Sequence, residues 1–223
     1  MKTDNTHPPY TSANAWGFPD LHPQPANWAI PNNLAAYHYR QEISSKRPVL
    51  LHFHTDDYRF QVVWNSPARG LTAVQKASPW AVCSPDFSLW TNTPLAEQIW
   101  NIYRARWCAR HWQENGLTII PTVNWSTPNS WAFCFDGIPP GQIVTLRTPK
   151  RFSTEHWTNF YSGYQEMLHR LTPRLILWFT DRLPYRCFDN VPKLLFPASN
   201  VRQRQKGTGR WVDQAAAAAA TAT

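Results

Sequence analysis

Polar side chains recur just past short apolar runs in this sequence. Val49-Leu50-Leu51-His52-Phe53-His54 leads into Asp56-Asp57. Trp80-Ala81-Val82-Cys83 leads into Ser84-Pro85-Asp86-Phe87-Ser88. Leu117 to Val123 leads into Asn124-Trp125, Gln142 to Leu146 into Arg147-Thr148, and Arg174 to Phe179 into Thr180-Asp181. Runs of this length read as buried strands. If the strands run parallel, their carboxyl ends share one rim, where ligands of such folds bind. Carboxylates gathered there can hold a divalent ion, or divide into an acid and a base. Asp57, Asp86 and Asp136 are therefore expected as an acidic centre, with Asn124 orienting and Arg147 contacting an anion. Ser84, Ser88 and Trp125 are the further expected ligand contacts.

Plainer roles exist for the same residues. Asp56, Asp57 and Asp181 could simply cap helices and turns. Asp86 differs, because Pro85 and Phe87 flank it in an apolar stretch, where a carboxylate needs a fixed partner. The histidines of His52-Phe53-His54 project from one strand face and could bind a metal. The same pattern resembles the His-hydrophobic-His signature of rolling-circle replication endonucleases. Those enzymes use an antiparallel sheet and a helix tyrosine, for which Tyr103, Tyr161 and Tyr164 are candidates. Glycine-rich phosphate loops are absent, and with 8 Gly in the chain one is hard to build. Cys83, Cys108, Cys134 and Cys187 form no C-x-x-C pair, so they read as reduced core residues rather than zinc ligands.

The elements that must position these residues alternate. Short helices are expected over Tyr58 to Trp64 and Pro67 to Lys76, and long ones over Pro94 to Glu114 and Ser153 to Leu171. Strands without inside/outside alternation, interleaved with helices, indicate a parallel sheet covered on both faces. The expected fold is one α/β domain over 49–200 with a mostly parallel sheet flanked by helices, possible as an incomplete or distorted barrel. The Pro- and Asn-rich residues 1–48 are expected as an irregular arm packing on it. Residues 201–223 are expected as a flexible tail, basic and then alanine-rich. On the long helix, Trp100 and Trp107 are a heptad apart and are expected to share the core face.

In 223 residues, 22 Lys and Arg against 14 Asp and Glu leave a net charge of +8, and there are 13 Trp. A basic, aromatic-rich chain can neutralise phosphates and stack on bases, so nucleic acid is an expected partner class. No apolar run is long enough for a membrane span, and the start is polar with no signal-like stretch, so a cytoplasmic location in a bacterial host is expected.

Five ordered stretches carry a resemblance: Asp56-Asp57-Tyr58-Arg59-Phe60, Ser84 to Leu89, Gln98 to Arg106, Ile119 to Trp125, and Phe133 to Pro139. Together they resemble the domain-of-unknown-function family 4417 of bacteria, phages and mobile elements, over roughly Trp16 to Asp181. The resemblance implies a phage or mobile-element setting and no particular activity. The functional expectation is thus a polar acidic site at the strand ends, acting on nucleic acid or a phosphorylated ligand, with a divalent metal ion as a possible cofactor. The alternatives are a non-enzymatic nucleic-acid-binding accessory protein, a rolling-circle-type endonuclease, and a carbohydrate-active enzyme with paired carboxylates beside Trp90 or Trp125.

Overall fold

Strand pairing in this protein follows chain order. The computed structural model describes residues 7–31, 33–43, 48–148, 153–197 and 210–212. Its strands are β1 (Asn33–Ala36), β2 (Val49–His52), β3 (Ala81–Cys83), β4 (Ile119–Ile120), β5 (Ile143–Arg147), β6 (Leu175–Phe179), β7 (Lys193–Phe196) and β8 (Arg210–Trp211). The helices are α1 (Val62–Asn65), α2 (Pro67–Ala77), α3 (Leu95–Glu114) and α4 (Thr154–Leu171). Strands β1 to β4 make one parallel sheet in that order, and β5 to β7 a second, with β8 antiparallel on its edge. A parallel bridge between Thr122 and Thr145 joins the two, so the polypeptide lays seven parallel strands side by side. The sheets do not close.

Side-chain parity explains how both faces are buried. On one face Leu34, Leu50, Ala81, Cys83, Ile120, Ile143, Leu175, Leu177, Phe179, Leu194 and Phe196 form a single cluster drawn from β1 through β7. The rings of His52 on β2 and Phe179 on β6, four strands apart, approach to 4.9 Å, which a flat sheet would not allow, so the strands curl around this inner cluster as in an open barrel. The intervening residues Leu51, Phe53, Val82, Ile119, Val123, Val144, Leu146, Ile176, Trp178 and Leu195 point outward, under the helices. Successive strand residues face opposite ways. The same parity puts His52, His54, Thr145 and Arg147 on the inner side.

The α/β class and the parallel sheet are as expected. The stretch read as an irregular arm is irregular to residue 31 and then supplies the edge strand β1 and a 3-10 turn, Tyr37–Glu42. Strands β7 and β8 also lie beyond the expected set. The first part of the arm is tied down by side chains: the Trp107 indole donates to the Pro8 carbonyl, and the Tyr10 hydroxyl meets His111. Gln24 reaches between β4 and β5, where its amide donates to the carbonyls of Ile119 and Ile143 and accepts from the Ile143 N–H. Gly137, at φ +77°, lets the Pro19 carbonyl pass where a Cβ would stand, so the arm lies against α3. Trp107 is fully buried beneath this arm, but Trp100 is 46% exposed, contrary to the shared core face expected of a heptad pair. The two do lie along one side of α3, and the arm covers only the Trp107 end. All four cysteines are free and buried. Lys150, Arg151, the basic cluster from Arg202 to Lys206, and the alanine tract lie outside the described residues.

Candidate functional site

At the carboxyl ends of β2, β3 and β5, and of the segment running on from β4, inward-facing polar side chains meet. Asp86 is the centre. Its Oδ2 is 2.8 Å from His54 Nδ1, and its Oδ1 accepts from Asn124 Nδ2 at 3.1 Å. Asn124 also donates to the Phe87 carbonyl, which fixes its amide orientation. A carboxylate only accepts, so His54 Nδ1 carries the proton of that bond. The other ring nitrogen, Nε2, lies 2.9 Å from the Thr145 hydroxyl. The buried Cys83 thiol lies on the same inner face, its pKa pushed far up by burial. The result is one chain of hydrogen bonds, Thr145–His54–Asp86–Asn124, drawing on four neighbouring strands.

Exposure grades along this chain. Thr145 and His54 are buried, whereas the Asp86 side chain is 19% exposed. Asn124 and Arg147 are also half-buried. Arg147 donates Nη1 to the His54 backbone carbonyl at 3.3 Å, which ties its guanidinium to the carboxyl end of β2. Below it lies His52, stacked 5.9 Å from His54 and tilted against Phe179 at 4.9 Å. His52 is buried and its Nδ1 has no partner. Its pKa is driven well below the ordinary imidazole value, by desolvation first and then by His54, Arg147 and His38.

The other expected site residues are distributed differently. Asp57 stands near enough to Asp86 for mutual repulsion, but both its oxygens are occupied by Ser88, through N–H at 3.0 Å and hydroxyl at 2.9 Å. Burial raises the Asp57 pKa, and the two Ser88 bonds oppose the rise. Asp57 and Ser88 thus lock two loops of the rim together. Ser84 is wholly buried: its hydroxyl accepts from the Thr122 N–H, and its carbonyl accepts from the Thr122 hydroxyl. Trp125 faces outward, stacked 5.4 Å from Phe160 and lying directly against Gly163 of α4. Asp136 sits beyond the 3-10 turn Pro128–Ala132. Its backbone carbonyl accepts from the buried Arg106, and its carboxyl, raised by burial, has Arg170, Arg106 and Asp20 as charged neighbours, with Asp86 not among them.

The family-wide comparison falls on the same region. A family model described as "Domain of unknown function (DUF4417)" matches residues 10–196. The chain belongs to the DUF4417 family. The match runs from the arm to the last residue of β7, so the family domain contains the seven parallel strands and their polar rim. Two relatives carry the printed name "Gene 1 protein". One, from Mycobacterium phage D29, is 40% identical over 210 residues, covering 92% of this chain and 75% of the relative. The other, from Mycobacterium phage L5, is 42% identical over 171 residues, covering 75% and 72%. No solved structure matches. Both of these relatives are phage proteins, in keeping with the phage or mobile-element setting that the motifs imply.

Two further residues of the cluster carry a signal in the sequence. Thr145 is the one hydroxyl inside the apolar strand Ile143-Val144-Thr145-Leu146, where a polar group needs a partner. His54 belongs to a histidine pair whose short pattern is weak by itself, and its value comes from Asp86, 32 residues away. Both oxygens of Asp86 and both ring nitrogens of His54 carry hydrogen bonds. Among the described residues, no group of three or more His, Cys, Asp and Glu is placed to hold a metal. No described helix is long and apolar enough to cross a membrane.

Proposed function

We propose that the strand-end rim binds a phosphorylated ligand and performs acid–base chemistry on a hydroxyl or amine next to its phosphate. The observation that carries this is the state of Asp86. It is partly exposed and fixed by one bond on each oxygen, and Arg147 is tied to the backbone of its partner His54. A carboxylate oxygen accepts more than one hydrogen bond, so each Asp86 oxygen keeps capacity for a ligand donor. His54 is the positioning residue. Its Nδ1–H orients the carboxylate, and its Nε2, held by Thr145, fixes the tautomer. Asn124 sets the carboxylate's second edge. Arg147 supplies a planar cation suited to phosphate. In this scheme Asp86 takes the proton of the ligand hydroxyl or amine while Arg147 holds the phosphate.

The geometry favours this over the carbohydrate reading. Both Asp57 oxygens are taken by Ser88, and Trp125 is packed under α4 rather than open to a sugar. It favours it over the rolling-circle reading as well, since the sheet is parallel and the Tyr164 hydroxyl is committed to Asp189. The test is calorimetric titration with AMP and with inorganic phosphate. AMP binding should weaken by about tenfold or more in Arg147→Ala and in Asp86→Ala, because a charged hydrogen bond contributes roughly 1.5–3 kcal/mol. Inorganic phosphate should respond to Arg147→Ala and not to Asp86→Ala. AMP affinity unchanged in both variants would refute the proposal.

A further inference from the structure

The most exposed large aromatics in the described residues are Tyr58 at 70%, Tyr185 at 64% and Trp90 at 63%. Each lies on a loop that follows a strand: Tyr58 after β2, Trp90 after β3, and Tyr185 after β6. In a parallel sheet these loops emerge at one end, the end that holds Asp86. Two local connections tighten the placement. Tyr58 and Trp90 flank the Asp57–Ser88 bond, which ties the first two loops together. From Trp90 the next residue, Thr91, reaches His156 at the start of α4. Trp157 then stacks on Tyr161 at 5.5 Å, and Tyr161 meets Tyr185 edge-on at 5.5 Å. The rings thus form an arc along the rim.

Cations interleave with the rings. Arg59 lies over Tyr58 at 5.1 Å, although its Nε also pairs with Asp56, and Arg186 lies over both Tyr161 and Tyr185. Solvent-facing aromatics cost free energy unless something covers them, and alternating rings and guanidiniums match a partner that alternates flat bases with phosphates. Duplex DNA hides its base faces, whereas a single strand presents them. We propose that this arc is a stacking platform for single-stranded nucleic acid, with bases on Tyr58, Trp90 and Tyr185 and phosphates on Arg59 and Arg186. The inference names the substrate class of the rim site and rests on that reading for the role of the strand ends, while its affinity comes from different residues.

The experiment is fluorescence anisotropy with a labelled oligothymidylate and with a duplex of the same length. Tyr58→Ala, Trp90→Ala and Tyr185→Ala should each weaken single-strand binding by between about 5- and 150-fold, the range measured for removing one stacking ring. Trp90→Phe should recover most of the loss, since a phenyl ring still stacks. Thermal unfolding should be unaltered, because all three side chains are exposed. Tyr58→Ala, Trp90→Ala and Tyr185→Ala should leave AMP affinity within about twofold, so this test and the AMP titration fail independently. Equal affinity for duplex and single strand would overturn the inference, as would ring variants that bind like the parent. A third outcome would also overturn it: loss of binding only in Arg69→Ser and Lys76→Ser, which would place the nucleic acid in the separate basic groove lined by Arg40, Arg69 and Lys76.

Discussion

Replacing Gly163 by alanine tests how firmly α4 sets the rim. Gly163 is buried in the middle of α4, so intrinsic helix propensity alone favours alanine by about 1 kcal/mol. The structure predicts the opposite outcome. A Cβ at 163 would run into Nε1, Cδ1 and Cε2 of the Trp125 indole. That ring cannot easily retreat, because it is stacked on Phe160 at 5.4 Å and meets Phe135 at 5.9 Å. Overpacking of a held side chain costs about 1–3 kcal/mol, and the upper part of that range applies to a ring confined on two sides. Subtracting the propensity gain leaves a net loss of about 1–2 kcal/mol, or a fall in Tm of roughly 2–8 °C for a chain of this size. Trp125 is the neighbour of Asn124, so the displaced ring also pulls the Asn124 amide from Asp86, and AMP affinity should fall with stability. The assay is calorimetric unfolding of Gly163→Ala, Trp125→Leu and the double variant. In the Trp125→Leu background the clash is gone, and Gly163→Ala should become neutral or stabilising. A rise in Tm for Gly163→Ala in the parent chain would refute the reasoning.

Three further outcomes follow from buried groups. His52 has a pKa below its unfolded value of 6.5, so at lower pH the unfolded chain binds a proton that the folded chain refuses. Its contribution to stability is therefore complete above about pH 6.5 and is lost as pH falls, by at most about 1.4 kcal/mol per unit; His52→Leu should flatten the acid side of a Tm-against-pH curve relative to the parent. Arg106 is wholly buried, its pKa lowered by burial to about 10, and it donates to the carbonyls of Asp136 and Cys134. Arg106→Met strands both carbonyls and should cost about 3 kcal/mol in urea unfolding, with Arg106→Lys a poor rescue because one ammonium lacks the planar fork. Gln24→Ala removes three hydrogen bonds between β4 and β5 and should cost about 2–3 kcal/mol, with faster hydrogen exchange at the Ile143 amide as its local signature.

Much of the fold was legible because composition alone decides it. Apolar strands between amphipathic helices have few solutions other than a covered parallel sheet. The same apolar uniformity hid the parity: with Leu50 and Leu51 both buried, nothing in the run tells which face carries His52 and His54. Strand β1 escaped because Asn33-Leu34-Ala35-Ala36 has no β-branched or aromatic residue, and only pairing with β2 makes it a strand. Strand β7 follows a loop with two each of Pro, Arg and Asp, which masks its four-residue run. At the rim, Asp86, Asn124 and Arg147 were readable from their positions after strands. Asp136 satisfied the same rule, but the 3-10 turn before it carries the chain to α3. Trp125 was read as a loop ring, whereas parity one residue past inward Asn124 turns it to α4. Asp57 and Ser84 were correctly placed near strand ends, yet their hydrogen bonds are spent within the scaffold. Those partners lie 31 and 38 residues away, which no local pattern records.

The most direct test of the strand-end site is an amide-resolved NMR titration of the isotopically labelled chain with AMP. Shifts concentrated at His54, Asp86, Asn124, Thr145 and Arg147, and diminished in Asp86→Ala, are the predicted result. Shifts confined to the groove around Arg40, Arg69 and Lys76, or no shifts at any residue, would contradict it.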